Sequence, residues 1–172
     1  MINSAVWAWC LPYNQGVIQE RLLDGSGLSL AIAAARFNAE VTIRLLEGAQ
    51  RAISRYSVAH HDLFWVPGSF ELPLAAKALA ETRRYDAVVC LGAVIRHETD
   101  HYLHVATQAA AGIRRASLET GIPCIFGVLT CDTEEQAMAR AGGRQGNKGA
   151  DAVEAAIEMA TLLRTIAEPA GE

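Results

Sequence analysis

The spacing of apolar positions along the chain predicts strands and helices in alternation. Four short apolar runs are bounded by turn residues and have the length of strands: residues 28–35, 63–66, 86–95 and 123–130. Apolar residues at helical spacing follow the first three runs, at 41–53, 74–80 and 102–116. The same pattern of strand followed by helix therefore recurs along most of the chain.

Two further helices are predicted after the fourth run. Thr133 and Gln136 resemble a capping box that opens a short helix, glycines at 142, 143 and 146 interrupt the pattern, and a last helix covers 153–163. Strands that alternate with helices predict a parallel sheet covered on both faces. The expected fold class is α/β, a three-layer sandwich with a flavodoxin-like parallel four-stranded sheet and helices on both faces. The expected domain spans 25–166, between an N-terminal arm at 1–24 and a tail at 167–172.

Composition narrows the classes of function. The net charge of −4 argues against a broad nucleic-acid surface, which needs a clustered basic face. No apolar run reaches the roughly 18 residues of a membrane span, and no Lys or Arg precedes the apolar start as in a secretory signal. The four cysteines show no CxxC spacing, and Cys90 and Cys124 lie in apolar runs, where a thiol acts as a small hydrophobe. These features predict a cytoplasmic protein without membrane or nucleic-acid partners.

Three polar segments follow predicted strands, at residues 36–38, 67–71 and 96–101. Ligands of open α/β sheets bind outside the carboxyl ends of the strands, so these segments are expected along one edge. Phe37 is either a core aromatic or a face on which a planar ring stacks. Glu71 lies in the first turn of a helix, where it either caps that helix or meets a ligand.

The segment 96–101 has the highest density of polar and titratable residues of the three segments. Glu98 and Thr99 precede a helix, whose free N–H groups favour a phosphate. His101 is a candidate proton shuttle, because imidazole titrates near neutral pH. His97, His101 and His104 have the spacing of one helical face, with ordinary surface histidines as the alternative. No Walker motif and no G-x-G-x-x-G after a strand is present, so no nucleotide cofactor is predicted.

Residues 97–101, HETDH, also match the H-E-x-x-H pattern of zinc hydrolases. That motif works only within a helix, where both histidines point to one metal ion. Here the match begins two residues after a predicted strand, and His104 as a third ligand fits no known zincin spacing. Zinc hydrolysis is therefore a remote alternative, and no metal site is expected.

Several segments together resemble the lumazine synthase family. They include WVPGSFELPLAAKALA, YDAVVCLGAVIRHETDHYLHVA and SLETGIPCIFGVLTCDTEEQAMARAG, and the combination of PGSFELP, GAVIR-x-ET-x-H and GVLT-x-DT-x-EQA is highly specific. The resemblance covers nearly everything from Leu28 to Leu163. It departs at His97, where the family more often has glycine, and at Asp100, where it more often has proline.

The resemblance implies roles for individual residues. Those that would bind a ribitylaminouracil are Phe37, Ser69, Phe70, Glu71, Ala93, Val94, Ile95 and, from a neighbouring subunit, Phe126. Glu98 and Thr99 would bind the phosphate of a ketose, with Arg140 as the countercharge. His101 would transfer protons, and Lys148 is a further candidate near the substrates. Without the resemblance, the sequence favours ordinary solvated cations for both Arg140 and Lys148.

The implied reaction condenses 5-amino-6-(D-ribitylamino)uracil with 3,4-dihydroxy-2-butanone 4-phosphate, without metal or redox cofactor. The implied assembly is a homo-oligomer with the active site at the subunit interface, either a pentamer or an icosahedral shell of pentamers, with riboflavin synthase as a further partner. An alternative from another class is a non-catalytic relative that binds a flavin or lumazine, or only forms a shell. His97 and Asp100 are the departures that keep this alternative open.

Overall fold

The computed structural model describes residues 23–167, and these form a parallel sheet of four strands in the order β2-β1-β3-β4. The strands are β1 (Ser29–Ala35), β2 (His60–Val66), β3 (Ala87–Ile95) and β4 (Cys124–Cys131). The helices are α1 (Ala39–Arg55), α2 (Leu72–Glu81), α3 (His101–Thr120), α4 (Glu134–Arg140) and α5 (Lys148–Ala167). The expected α/β class with a flavodoxin-like sheet is confirmed. Residues 1–22 of the expected arm, 168–172 of the tail, and Cys10 lie outside the described residues.

The two central strands are the most apolar and the most buried. Every residue of β1 after Ser29 is buried, and so is every residue of β3 before Ile95, as expected for a strand covered on both faces. Strand β2 alternates between exposed and half-buried positions because it lies at an edge. The strand order reverses between β1 and β3, which is the switch point where ligands of such sheets bind.

Helices cover the sheet on both sides, each with its own apolar cluster. On one side α1 and α5 pack together over side chains that include Leu45, Ile53 and Ile157. On the other side α2 packs against α3, with Leu72 and Ile113 buried beneath them. The three-layer arrangement follows from the apolar stripes that the helices present to the strands.

The glycine-rich segment forms a structure that the pattern did not predict. It folds into an antiparallel ribbon of β5 (Ala141–Gly143) and β6 (Gly146–Asn147), and α5 begins directly after it, before the expected start at 153. Asn147 caps the amino end of α5: its Oδ1 accepts from the N–H groups of Gly149 and Ala150 at 2.9 and 3.2 Å. Its Nδ2 donates to the Arg44 carbonyl at 2.8 Å and so ties α5 to α1.

The expected capping box at α4 is half correct. Thr133 is the N-cap, and its Oγ1 accepts from the Gln136 N–H at 3.3 Å. The Gln136 side chain accepts from the N–H of Asp132 at 3.1 Å, whereas a capping box would use that of Thr133. The Gln136 side chain therefore bonds to the N–H of the residue before the N-cap and not to that of the N-cap itself.

Two carboxylates organise the amino ends of the strands. Asp86 accepts from the Ser29 N–H and from the Arg164 guanidinium, both at 2.7 Å, and Arg164 also donates to the Gly27 carbonyl at 3.0 Å. Asp62 accepts from the Tyr85 hydroxyl at 2.6 Å and lies 3.2 Å from His60 Nε2. The Tyr85 hydroxyl, and after it His60, lowers the pKa of Asp62.

The predicted role of the core cysteines is confirmed. Cys90 and Cys124 are buried, and burial raises the pKa of both thiols. Thiols that resist ionisation are poor nucleophiles, so these two side chains act as packing groups. Across residues 23–167, no helix combines the length and the apolar character needed to cross a bilayer.

Candidate functional site

A cavity of about 460 Å³ opens at the carboxyl ends of the strands. It lies at the switch point, where the chain leaves β1 and β3 toward opposite faces of the sheet. Its lining comes from the three polar segments, the end of β3 and the first turns of α3: residues 37–38, 67–71, 93–95, 97, 99, 101–102 and 104–105. Its volume is in the range of small-molecule sites.

Phe37 presents its ring to this cavity. The side chain is 66 % exposed, so the alternative of a core aromatic is wrong. The next residue, Asn38, holds the backbone in the left-handed region at φ 57°, and its Nδ2 donates to the Ala93 carbonyl at 2.9 Å. This bond joins the loop after β1 to the end of β3. It fixes the position of the aromatic face relative to the main-chain groups of β3.

The loop after β2 brings Ser69, Phe70 and Glu71 to the same cavity. Glu71 is the N-cap residue of α2, but its side chain makes no capping hydrogen bond, so the capping alternative is wrong. Ser69 Oγ is buried and has no partner among the described protein groups. It packs over Gly92, where an added Cβ would lie 2.6 Å from that oxygen. The glycine in β3 therefore makes room for Ser69.

The segment after β3 brings imidazoles into the cavity. Helix α3 begins at His101, so His97 precedes it and the expectation of one helical face for His97, His101 and His104 is wrong. All three nevertheless line the cavity, together with Thr99. Glu98 is exposed and is not among the lining residues.

The helical geometry that a zinc hydrolase motif requires is not present in HETDH. Four of its five residues precede α3, so His97 and His101 do not lie one turn apart on a helix. Within residues 23–167, no group of three His, Cys, Asp or Glu side chains is arranged to hold a metal ion.

The other site residues predicted from the sequence line a second cavity of about 380 Å³. Phe126 lies on β4, 41 % exposed, and Arg140 ends α4 and donates to the Gln136 carbonyl at 3.0 Å. Lys148 begins α5 and pairs with Asp151 at 2.7 Å. The two cavities share no lining residue, so a single protomer does not bring Phe126, Arg140 and Lys148 to Phe37 and His101.

The two cavities differ in their charged groups. The first is lined by Glu71 and three histidines, with neither Lys nor Arg among its lining residues. The second contains Arg140 and Lys148, with Asp151 as its carboxylate. Cys131 also lines the second cavity; burial raises the pKa of its thiol, and the nearby Arg140 acts in the opposite direction. The first cavity therefore offers one carboxylate and three imidazoles, whereas the second offers fixed positive charge.

Sequence reasoning gave no role to several residues of these sites. The sequence predicts that Asn38 lies at the edge of the sheet. It does not predict the hydrogen bond to Ala93, because the two residues are 55 positions apart in the chain. An Asn directly before a helix was the available signal, because Asn tolerates the left-handed conformation better than most residues. Tyr102 and Val105 reach the cavity only because α3 begins beside it.

The protein is of the open, parallel α/β class, and its ligand-sized cavity lies at the switch point, where small-molecule sites of this class are usually found. A family model described as 6,7-dimethyl-8-ribityllumazine synthase matches residues 27–164, which is most of the chain. The chain belongs to this family, and the resemblance noted in its sequence is confirmed.

Proposed function

We propose that the chain is a transferase that condenses 5-amino-6-(D-ribitylamino)uracil with 3,4-dihydroxy-2-butanone 4-phosphate to give 6,7-dimethyl-8-ribityllumazine, phosphate and two waters. The observation that carries the proposal is the convergence of Phe37, Thr99 and His101 on one cavity. These residues lie in segments that follow two different strands. The family match supports lumazine synthase chemistry for a site of this kind.

The aminouracil is assigned to the part of the cavity between β1 and β3. Its pyrimidine stacks on the exposed face of Phe37, since planar rings favour offset stacking. Main-chain groups of 93–95 hold the ring edge, and the Ala93 carbonyl already accepts from Asn38. Glu71 binds the ribityl hydroxyls, because its carboxylate is exposed and not used as a cap. Ser69 and Phe70 complete this part of the site.

The phosphate of the ketose is assigned to the loop before α3, at Glu98 and Thr99. The Asp100 side chain does not cap α3, so it leaves the first N–H groups of a 20-residue helix available to an anion. Thr99 lines the cavity, and Glu98 contributes through its main chain only. This assignment places the phosphate beside His101.

The reaction needs two substrates in register and one proton-transfer group. The 5-amino nitrogen attacks the ketone carbon, and loss of water gives an imine. Loss of a proton from the adjacent carbon expels phosphate, and the resulting enol becomes a ketone. The ribitylamino nitrogen attacks that ketone, and a second water leaves as the ring closes. His101 shuttles the protons, a role worth about 10²–10⁴-fold in rate.

The second cavity supplies the rest of the site from a neighbouring protomer. Phe126 covers the bound aminouracil, Arg140 neutralises the phosphate, and Lys148 lies close to both. A head-to-tail contact between two different surfaces closes into a ring when its rotation allows. We propose a homo-oligomer built from the domain 25–166, either a pentamer or an icosahedral assembly of pentamers, with riboflavin synthase as a further partner.

One assay tests the proposal directly. The purified protein is mixed with both substrates, and the absorbance of the lumazine is followed together with the release of phosphate. One phosphate per lumazine is expected. Binding of a lumazine or flavin without any turnover would instead support the non-catalytic alternative and overturn the proposal.

A further inference from the structure

The first cavity lacks the fixed cations that usually hold a phosphate. Glu71, His97, His101, Tyr102 and His104 are its titratable lining residues, and none of the 16 lining residues is Lys or Arg. A phosphate dianion gains most from charged donors. Among residues 23–167 of one protomer, the lining residues of this cavity that can carry positive charge are therefore its three imidazoles.

His97 lies between the first cavity and an adjoining recess of about 370 Å³. The recess also contains Glu40, Arg96, Asp132 and Glu134. Arg96 lies 3.6 Å from Asp132 and over the Tyr102 ring at 6.0 Å, and it is not among the lining residues of the first cavity. The side chain of His97 makes no hydrogen bond or ion pair within the described part of the chain, which leaves its ring available to a ligand.

The position of His97 distinguishes it from the other two histidines. His97 and Thr99 belong to the loop before α3, next to the helix end to which the phosphate is assigned. His101 already has a proposed part in proton transfer, and His104 lies one turn into the helix. His97 is therefore the imidazole best placed to contact the phosphate without taking part in the chemistry.

We propose that His97 is a phosphate-binding residue that selects the ketose phosphate in its imidazolium form. This rests on the proposed function and deepens it. Affinity for the phosphate substrate then has two parts: a constant part from the helix end and the neighbour's Arg140, and a part from His97 that fades as the pH rises. The charged or titratable groups that surround His97 are Glu40, Glu71, Arg96, Glu98, Asp100, His101, Tyr102, His104, Asp132 and Glu134.

The test compares the intact protein with His97→Gln and with a matched control, His61→Gln. His61 is an exposed histidine on β2, at the opposite end of the sheet. The KM for each substrate is measured at pH 6 and pH 8. For His97→Gln we expect the KM for the ketose phosphate to rise about two- to fivefold at pH 6, the range of exposed charge pairs, and to match the unaltered protein at pH 8. The KM for the aminouracil should not change, nor should either value in His61→Gln.

Titration of the phosphate itself affects the unaltered protein and the variant alike, so their ratio isolates His97. An unchanged KM at pH 6 would overturn the proposal. So would an increase of equal size at both pH values, because that would indicate a steric role without charge.

A second measurement separates this proposal from the function on which it rests. Inorganic phosphate is titrated into each protein by calorimetry at pH 6 and pH 8, with no turnover required. Weaker binding by His97→Gln at pH 6 alone supports the role of His97, even for a protein that forms no lumazine. Equal binding by the two proteins at pH 6 contradicts it, whatever the activity.

Discussion

The two ends of the same parallel sheet treat their polar side chains in opposite ways. At the amino ends, Asp86 and Asp62 accept hydrogen bonds from Ser29, Arg164 and Tyr85, at 2.6 to 2.7 Å. At the carboxyl ends, the carboxylate of Glu71 and the three imidazoles line a cavity, are exposed, and make no such hydrogen bonds among the described residues. The first set joins strands and helices, and the second is left available to a ligand.

We infer that the polar groups at the amino ends stabilise the fold, whereas those at the carboxyl ends serve the function. Exposed polar groups without a protein partner stay solvated, so Glu71 and the three imidazoles contribute little to the stability of the fold. Substitutions at the amino ends should therefore lower stability and leave catalysis intact. Substitutions at the carboxyl ends should lower activity and leave stability nearly unchanged.

The largest expected effect is at His101. His101→Ala should lower kcat by about 10²–10⁴-fold, because proton transfer then depends on water, while residual condensation persists from substrate positioning. The melting temperature should stay within about 1 °C of the unaltered protein, since the side chain is exposed. Steady-state kinetics and a thermal melt check both parts, with His61→Ala as control. Unaltered turnover in His101→Ala would remove this residue from the chemistry.

The next effect concerns the second cavity. Arg140→Ala should raise the KM for the ketose phosphate by about tenfold to a hundredfold, the value of a charge-assisted hydrogen bond to phosphate. The KM for the aminouracil should change much less. Steady-state kinetics with each substrate varied in turn make the measurement. Equal increases for both substrates would count against a phosphate contact.

A substitution at the amino ends should show the reverse pattern. Asp86→Ala leaves the Ser29 N–H and the Arg164 guanidinium without their acceptor, at a cost of about 1–3 kcal/mol. For a domain of this size the melting temperature should fall by about 2–10 °C, with kcat/KM unchanged at 25 °C. Asp24→Ala is the matched control, because within residues 23–167 the Asp24 carboxylate accepts hydrogen bonds only from the nearby Ser26. Loss of activity without loss of stability in Asp86→Ala would break the distinction between the two ends.

The smallest effect is a pH dependence at Asp62. Its pKa is lowered in the folded protein, first by the Tyr85 hydroxyl, so its contribution to stability is present above the unfolded pKa of about 3.9. That contribution is lost as the pH falls through the lowered folded value. Thermal melts from pH 7 to pH 3 should show Asp62→Asn less stable near neutrality, with the gap closing in acid. A constant gap across this range would exclude the carboxylate charge as its cause.

The sequence predicts the parts of the molecule that depend on local pattern. The apolar run of β3 and the spacing in α1 define buried elements directly, and parallel strands bring Phe37, Glu71 and His101 to one edge. The ribbon at 141–147 was missed because short glycine-rich strands carry no apolar alternation. The sequence also does not predict that Arg140 and His101 line different cavities, because the spacing of residues does not determine where the end of α4 lies relative to the start of α3.

The central claim is that the carboxyl-end cavity of one protomer and the cationic cavity of the next form one site. Co-expression of His101→Ala and Arg140→Ala chains in a single assembly tests it directly, since each chain is defective in a different cavity. If neighbours share the site, about a quarter of the interfaces in a randomly mixed ring pair an intact His101 with an intact Arg140. At a ketose phosphate concentration far below the KM of the unaltered protein, where both parents are slow, the mixed assembly should then regain about a quarter of the unaltered activity; activity no higher than the average of the two parents would contradict the shared site.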